Sequence, residues 1–289
     1  MKLRSAAVFC ASFLVVLAIV IGVSARRADS YTFTAIDVPG ATVTVVSGIN
    51  DRGEVVGWYR TGSSGDPDSA DHGFLLAHGH FTTIDVPGSR GTVAEGINNR
   101  GEIVGYYFDQ AAAQRGFLLL RGVFTTIECG AFTEPRGIND RGDIVGRLEN
   151  HGFLFSKGKC TTIDFPGASF SSAFGVNNAG QVVGFYSDAT GRHGFLLVHG
   201  AFTTIDPPQS VATEAIGIND HDDIVGSYEG SGGHHGFVFS NGQFTNVDVS
   251  FPGAFFTNIF GINNSGEIAG EYDLTFERGF PPHGFVATP

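Results

Sequence analysis

The chain is short of cysteine, of basic residues and of anything with a helical period, and each shortage removes a class of function. Three cysteines in 289 residues give no zinc-ligand spacing. No nucleophile elbow, phosphate loop or dinucleotide fingerprint occurs, so the usual signatures of an enzyme are missing. Only 17 basic residues stand against 29 acidic ones. Nucleic acid and anionic membrane surfaces both demand a basic patch, so neither is an expected partner. Beyond residue 30 no apolar run is long enough to cross a bilayer.

One apolar run lies at the start. Lys2 and Arg4 precede an uncharged stretch from Ser5 to Val23, followed by the small residues Val23-Ser24-Ala25. This reads as an export signal over residues 1–25, with an uncleaved N-terminal anchor as the alternative. Cys10 belongs to that run. Cleavage leaves 15 basic against 29 acidic residues, formally −14. The expected location is extracellular, periplasmic or at the cell surface. Residues 26–32 form a short linker, and residues 33–289 a single domain. Cys129 and Cys160 occupy opposite ends of equivalent segments in neighbouring repeats, so two free thiols are expected. An oxidising compartment permits a disulfide without requiring one.

What fills the domain is repetition. Gly48, Gly96, Gly137, Gly175, Gly217 and Gly261 each open a Gly-Ile/Val-Asn-Asp/Asn turn, at spacings of 48, 41, 38, 42 and 44 residues. Such periods mean solenoids, propellers or arrays. Each repeat holds four runs rich in β-branched and aromatic residues between glycine-containing turns, and so predicts four strands. In the second repeat these are Thr92–Asn98, Ile103–Tyr107, Arg115–Leu120 and Val123–Ile127.

The two-residue turns His78-Gly79, Arg121-Gly122, Lys157-Gly158, His199-Gly200 and Asn241-Gly242 suit tight primed hairpins. Folding back from them pairs His72 with Asp85, His151 with Asp164, His193 with Asp206 and His235 with Asp248. Where the histidine is missing, the same count pairs Arg115 with Glu128. Base and acid change together, as expected of side chains that touch across a ladder.

The two ends complete one another. A lone copy of the fourth strand, Phe33–Asp37, precedes the first full repeat, and the last repeat stops at its third strand. Pairing His283 with Asp37 sets Phe285 against Ala35. The expected fold is therefore an all-β, six-bladed β-propeller of four-stranded blades, its last blade closed by the N-terminal strand. A β-solenoid is the competitor, but the unequal loops speak against a regular coil.

The pattern Gly-Ile-Asn-Asn-x-Gly-Glu-Ile-Val-Gly-x-Tyr, then His-Gly-Phe-Leu, then Phe-Thr-Thr-Ile-Asp-x-Pro-Gly, resembles the HAF-type extracellular repeats of bacteria. Gly96–Tyr107, Arg115–Leu118, His193–Leu196 and Phe202–Asp206 carry the likeness. It covers about residues 33–286 and implies an exported repeat protein of unestablished function. The third repeat departs from it at Leu148 and Cys160.

The base–acid pairs invite a reading as general-base sites or a metal ring. Their near-equivalent copies favour structural fasteners instead. Asn50, Asn98, Asn139, Asn177, Asn219 and Asn263 read as turn devices whose side chains bond the backbone two residues on. Asp51, Asp140 and Asp220 exchange with Asn99, Asn178 and Asn264 in the next position. That exchange reads as indifference to a fixed carboxylate and argues against calcium there.

The loop carboxylates Asp66, Asp68 and Asp71 read as a solvated, flexible loop, with a calcium site as the alternative. Asp220-His221-Asp222-Asp223 reads as a solvated turn, and His234 as part of a mobile loop. Tyr59, Tyr107, Tyr186, Tyr228 and Tyr272 read as packing between blades. The unrepeated Trp58 is a candidate ligand contact. Together these features predict a monomeric binding or scaffold module for an extracellular glycan or surface protein. The alternatives are a hydrolase or lyase acting on extracellular polysaccharide through the loop carboxylates, and a structural matrix component.

Overall fold

The computed structural model describes residues 31–62, 70–274 and 282–289, and every regular element among them is a strand. The signal read in residues 1–25 and the loop residues Asp66 and Asp68 lie outside the described residues.

Strand β1 is Thr32–Ile36. The first repeat follows as β2 (Val43–Ile49), β3 (Val55–Arg60), β4 (His72–Ala77) and β5 (His80–Ile84). The second is β6 (Gly91–Ile97), β7 (Ile103–Phe108), β8 (Gln114–Leu120) and β9 (Val123–Ile127). The third is β10 (Thr133–Ile138), β11 (Ile144–Leu148), β12 (His151–Ser156) and β13 (Lys159–Ile163). The fourth is β14 (Phe170–Val176), β15 (Val182–Asp188), β16 (Gly191–Val198) and β17 (Ala201–Ile205). The fifth is β18 (Ala212–Ile218), β19 (Ile224–Gly230), β20 (Gly233–Ser240) and β21 (Gln243–Asn246). The last is β22 (Phe256–Ile262), β23 (Ile268–Asp273) and β24 (His283–Thr288).

Consecutive strands pair antiparallel within each repeat, and β1 pairs with β24, setting Phe33 against Ala287 and Ala35 against Phe285. The hairpin register is the one the turns dictate, with Leu76 opposite Phe81 and Phe74 opposite Thr83. At His78-Gly79 both turn residues have positive φ, 51° and 77°, the geometry whose twist matches the flanking strands. Four-stranded antiparallel units in radial repetition make this a β-propeller.

The expectation of six separate four-stranded sheets needs correction. Four blades are separate sheets, whereas β14–β21 form one eight-stranded sheet. The join is a single parallel pair, Arg192 with Ala212. At this junction β16 begins at Gly191, ahead of the histidine that opens β4 and β12, and reaches the start of β18. Three of the other junctions are crossed by single backbone hydrogen bonds, from Thr44 N to Pro282 O, Thr92 N to Asp71 O and Ser171 N to Asn150 O.

Each unit buries one phenylalanine completely: Phe74, Phe117, Phe153, Phe195, Phe237 and Phe285. Opposite each in the second strand stands a glycine, for instance Gly184 opposite Phe195. A Cβ at Gly184 would lie 2.0 Å from Ser172 O and 2.8 Å from the Phe195 ring, so the backbone has to be bare there.

The cysteines also need correction, since Cys129 and Cys160 are joined as a disulfide, with Cα atoms 5.6 Å apart. Opposite ends of neighbouring outer strands meet because the chain leaving one unit passes against the outer strand of the next. Other junctions fill the same two positions with apolar side chains. Val38 shares a cluster with Phe81, Val86 with Phe124, and Phe165 with Phe202. The disulfide stands where those contacts would be.

Candidate functional site

The inner strands β2, β6, β10, β14, β18 and β22 face one another around the axis, and their sequences dictate two different ends. At one end lie the repeated turns. Asn50 Oδ1 accepts hydrogen bonds from the backbone N–H of Arg52 and Glu54, at 3.0 and 3.1 Å, closing the turn locally. Its Nδ2 then donates 3.1 Å across to the carbonyl of Asn98. Asn98 does the same to Asn139, Asn139 to Asn177, Asn177 to Asn219, Asn219 to Asn263, and Asn263 back to Asn50.

A second ring lies beside the first. Asn99 donates to Asp51 and Asp140, Asn178 to Asp140 and Asp220, and Asn264 to Asp220 and Asp51, at 2.7–3.1 Å. Each amide has two hydrogens and each carboxylate oxygen two lone pairs, so alternating Asp and Asn lets every amide hydrogen of the ring find an acceptor. The exchange of Asp for Asn is therefore complementarity, which corrects its reading as indifference. At Asp220 burial raises the carboxyl pKa, but the hydrogen bonds from Asn178 and Asn264 outweigh it and hold it below the ordinary range. Ring residues and the aliphatic layer Ile49, Ile97, Ile138, Val176, Ile218 and Ile262 border a hollow of about 80 Å³.

One residue further back the six glycines bring the inner strands together. A Cβ at Gly96 would lie 2.6 Å from Arg136 O, and one at Gly137 2.3 Å from Phe174 O. Just before each glycine the ladder slips by one residue, as between Val46 and Gly48 or between Ala94 and Gly96. A β-bulge re-aims the extra residue. Here the extra residues are Ser47, Glu95, Arg136, Phe174, Ile216 and Phe260, and all six line one cavity of about 200 Å³ with Val45, Trp58 and Glu271. Five different residue types occupy six equivalent positions. The repeats agree at the plate and disagree at the cavity.

The cavity wall is unequal in charge. Arg136 pairs with Glu134, lies 4.2 Å over the Phe174 ring, and keeps a buried Nε without a partner among the described residues. Glu134 also takes Arg147 at 2.6 Å. Glu271 accepts one bond, 2.9 Å from Asn258 Nδ2. Burial raises the Glu95 carboxyl to about 7 against the pull of Arg136, with Glu134 and Glu271 adding to the rise. Burial likewise raises Glu271 to about 7, against its bond from Asn258 and with Asp273 adding.

The residues singled out from sequence are mostly elsewhere. Nδ1 of His72, His151, His193, His235 and His283 lies 2.7–3.0 Å from Asp85, Asp164, Asp206, Asp248 and Asp37 respectively. These pairs sit at the rim of five blades, where the rings of Tyr59, Tyr186, Tyr228 and Tyr272 lie against the histidines at 5.2–5.4 Å, the last stacked and the others tilted. The tyrosines therefore pack within the blade. They also meet the neighbouring unit, as where Phe165 stacks on Tyr186.

Arg115 keeps its expected partner Glu128 only as a long ion pair and holds Asp109 more closely. Its Nε donates to Asp109 at 2.8 Å, and Glu128 is 4.0 Å away. Asp109 wins because the turn N–H groups of Ala111 and Ala113 already hold its carboxylate in place. Asp71 is bound to Arg60 at 2.5 Å. His234, expected in a loop, lies in β20, stacks on Phe256 and meets Asn258 at 2.7 Å. Trp58 is the one singled-out residue that reaches the cavity. The bulge residues were missed, although the position before each opening glycine is where the six copies visibly differ.

No protein-family model matches the chain, and no curated protein matches it in sequence. Solved structures do match its fold. TolB from Acinetobacter baumannii superposes with a TM-score of 0.52 at 13% identity, covering 70% of this chain and 53% of TolB, so the chain spans about half that protein's length. The fungal Aleuria aurantia lectin, described as a six-bladed β-propeller with a novel fucose recognition mode, gives 0.52 at 10% identity over 88% of this chain and 93% of the lectin. A triple mutant of AofleA from Arthrobotrys oligospora gives 0.50 at 13% identity over 89% and 92%. At such identities the likeness is one of fold.

Proposed function

We propose that the chain is an exported binding module that holds a small polar organic molecule in its central cavity. The observation that carries this reading is the divergence of Ser47, Glu95, Arg136, Phe174, Ile216 and Phe260 at equivalent positions around one cavity of about 200 Å³. A purely structural ring has no use for five residue types at six positions where its neighbours repeat. Ligand sites are concave, with a few polar groups on an apolar wall. In this reading β14–β21 counts as two blades, giving six. The joining pair is one local extension of a contact that other junctions make by single bonds.

The signal over residues 1–25, the likeness to HAF-type extracellular repeats and the Cys129–Cys160 disulfide support a place outside the cytoplasm. The test is isothermal titration with a panel of monosaccharides, fucose included because a lectin of this fold recognises it, and of small amines and acids. A binder whose heat disappears in Ser47→Leu, with melting retained, is the expected outcome. Binding untouched by that substitution would move the site to the blade rims.

A second reading is acid–base catalysis on extracellular polysaccharide, favoured by two carboxyls near 7 in one cavity. It moves the chemistry from the loop carboxylates to Glu95 and Glu271. Release of reducing ends from oligosaccharides, abolished in Glu95→Gln, would establish it.

A further inference from the structure

We infer that the central cavity selects an organic cation, a small amine whose ammonium group meets Glu95 and Glu271 while its carbon skeleton lies against Phe174, Ile216 and Phe260. This rests on the reading of the cavity as a ligand site and names the class of ligand.

The argument is one of unfilled valence. Of the cavity's charged residues two are acids and one is a base. The base is mostly served, since Arg136 is paired with Glu134 and stacked on Phe174, and only its Nε–H is left without a partner among the described residues. Glu95 accepts no hydrogen bond from any described residue, and Glu271 only the one from Asn258. A half-buried carboxylate without a protein donor carries a desolvation cost, and an ammonium group supplies up to three donors with the opposite charge. An anion would find one free N–H, the Nε of Arg136, and would have to face Glu95, Glu134 and Glu271 to reach it. A neutral polyol would leave the excess charge unanswered.

A bare metal ion fits less well. Among the described residues no group of three or more His, Cys, Asp and Glu side chains is arranged to hold one. The wall itself shows how it treats a cation, since the Arg136 guanidinium lies on an aromatic face. The volume, about 200 Å³, is below the roughly 300–1,000 Å³ of drug-sized sites, so the ligand is small.

The pairing has a pH signature. Around Glu95 stand Arg136 and Glu134 from the next inner strand, Glu271 from the last unit, and the Tyr106 phenol, whose own pKa burial pushes up. Around Glu271 stand Asn258 and Asp273. Both acids take up protons as pH falls through about 7, and a bound ammonium would have to displace those protons. Affinity for an amine therefore rises from pH 6 to pH 8.

The experiment is titration of the full chain with three probes of one shape: benzylamine, benzyl alcohol and benzoate. At pH 8 benzylamine is expected to bind at least tenfold more tightly than benzyl alcohol, with no heat from benzoate. Glu95→Gln or, should that variant fold poorly, Glu271→Gln is expected to remove most of the difference between amine and alcohol. Preference for benzyl alcohol or benzoate, lost in Ser47→Leu, would overturn the cation class and leave the cavity as the site. Binding of any probe unaffected by Ser47→Leu, or none by these probes and the sugar panel alike, would overturn both.

Discussion

Asp140 shows how much one side chain can join in this molecule. Its carboxylate accepts from the backbone N–H of Asn99 and from the amides of Asn99 and Asn178, tying three consecutive repeats. Asp140→Asn would set its new amide NH2 against either the two ring amides or the backbone N–H of Asn99, donor against donor, at a cost of about 1–3 kcal/mol read as a lower melting temperature. Inverting all six positions, with Asn at 51, 140 and 220 and Asp at 99, 178 and 264, restores the pattern and is expected to recover most of the loss. A melting temperature unmoved by Asp140→Asn would show the ring to be incidental. The His–Asp pairs were legible in the sequence because hairpin register is local. The Asp–Asn alternation was equally visible, but its meaning depends on a closure that brings Asn264 back to Asp51, 213 residues apart.

The strands followed from β-branched runs and glycine turns, and the shared last blade from one unpaired strand copy. What escaped at this scale was contact between elements of different units. Cys129 lies past the end of β9 and Cys160 within β13, and no hairpin count relates them. The signal available was that both replace apolar residues at positions the fold pairs across each junction, in consecutive repeats. A loop of 31 residues closed by a disulfide is worth about 3–4 kcal/mol in the chain-entropy model. For a domain of this size that is roughly 10 °C in melting temperature. Cys129→Ser with Cys160→Ser, or reduction by dithiothreitol, should lower melting by that order. No change would mean that the ordinary apolar contact of the other junctions suffices.

The molecule as a whole has a polar, repetitive plate at one end of its axis and a diverse cavity behind it. Glu95 and Glu271, raised to about 7 in the folded chain, bind protons more tightly there than when unfolded. Their contribution to stability is therefore full below about pH 4.5, declines as pH rises, and is gone above about 7. The chain carrying both Glu95→Gln and Glu271→Gln should lose less stability between pH 5 and pH 8 than the native chain, measured by urea midpoint. Equal losses would show that neither acid is desolvated. None of this was legible in the sequence, because a carboxyl's environment depends on five strands brought together from distant repeats.

The alternating ring also carries arithmetic. Donor next to acceptor can close only around an even number of members. Losing or gaining one repeat would place side by side two carboxylates, which have no donor between them, or two amides, which can bond to each other but break the alternation. The heritable brick of this architecture is therefore the pair of repeats. A lineage built on it is expected to grow or shrink two repeats at a time, with odd-numbered relatives recognisable by a substitution at the ring position where the alternation fails.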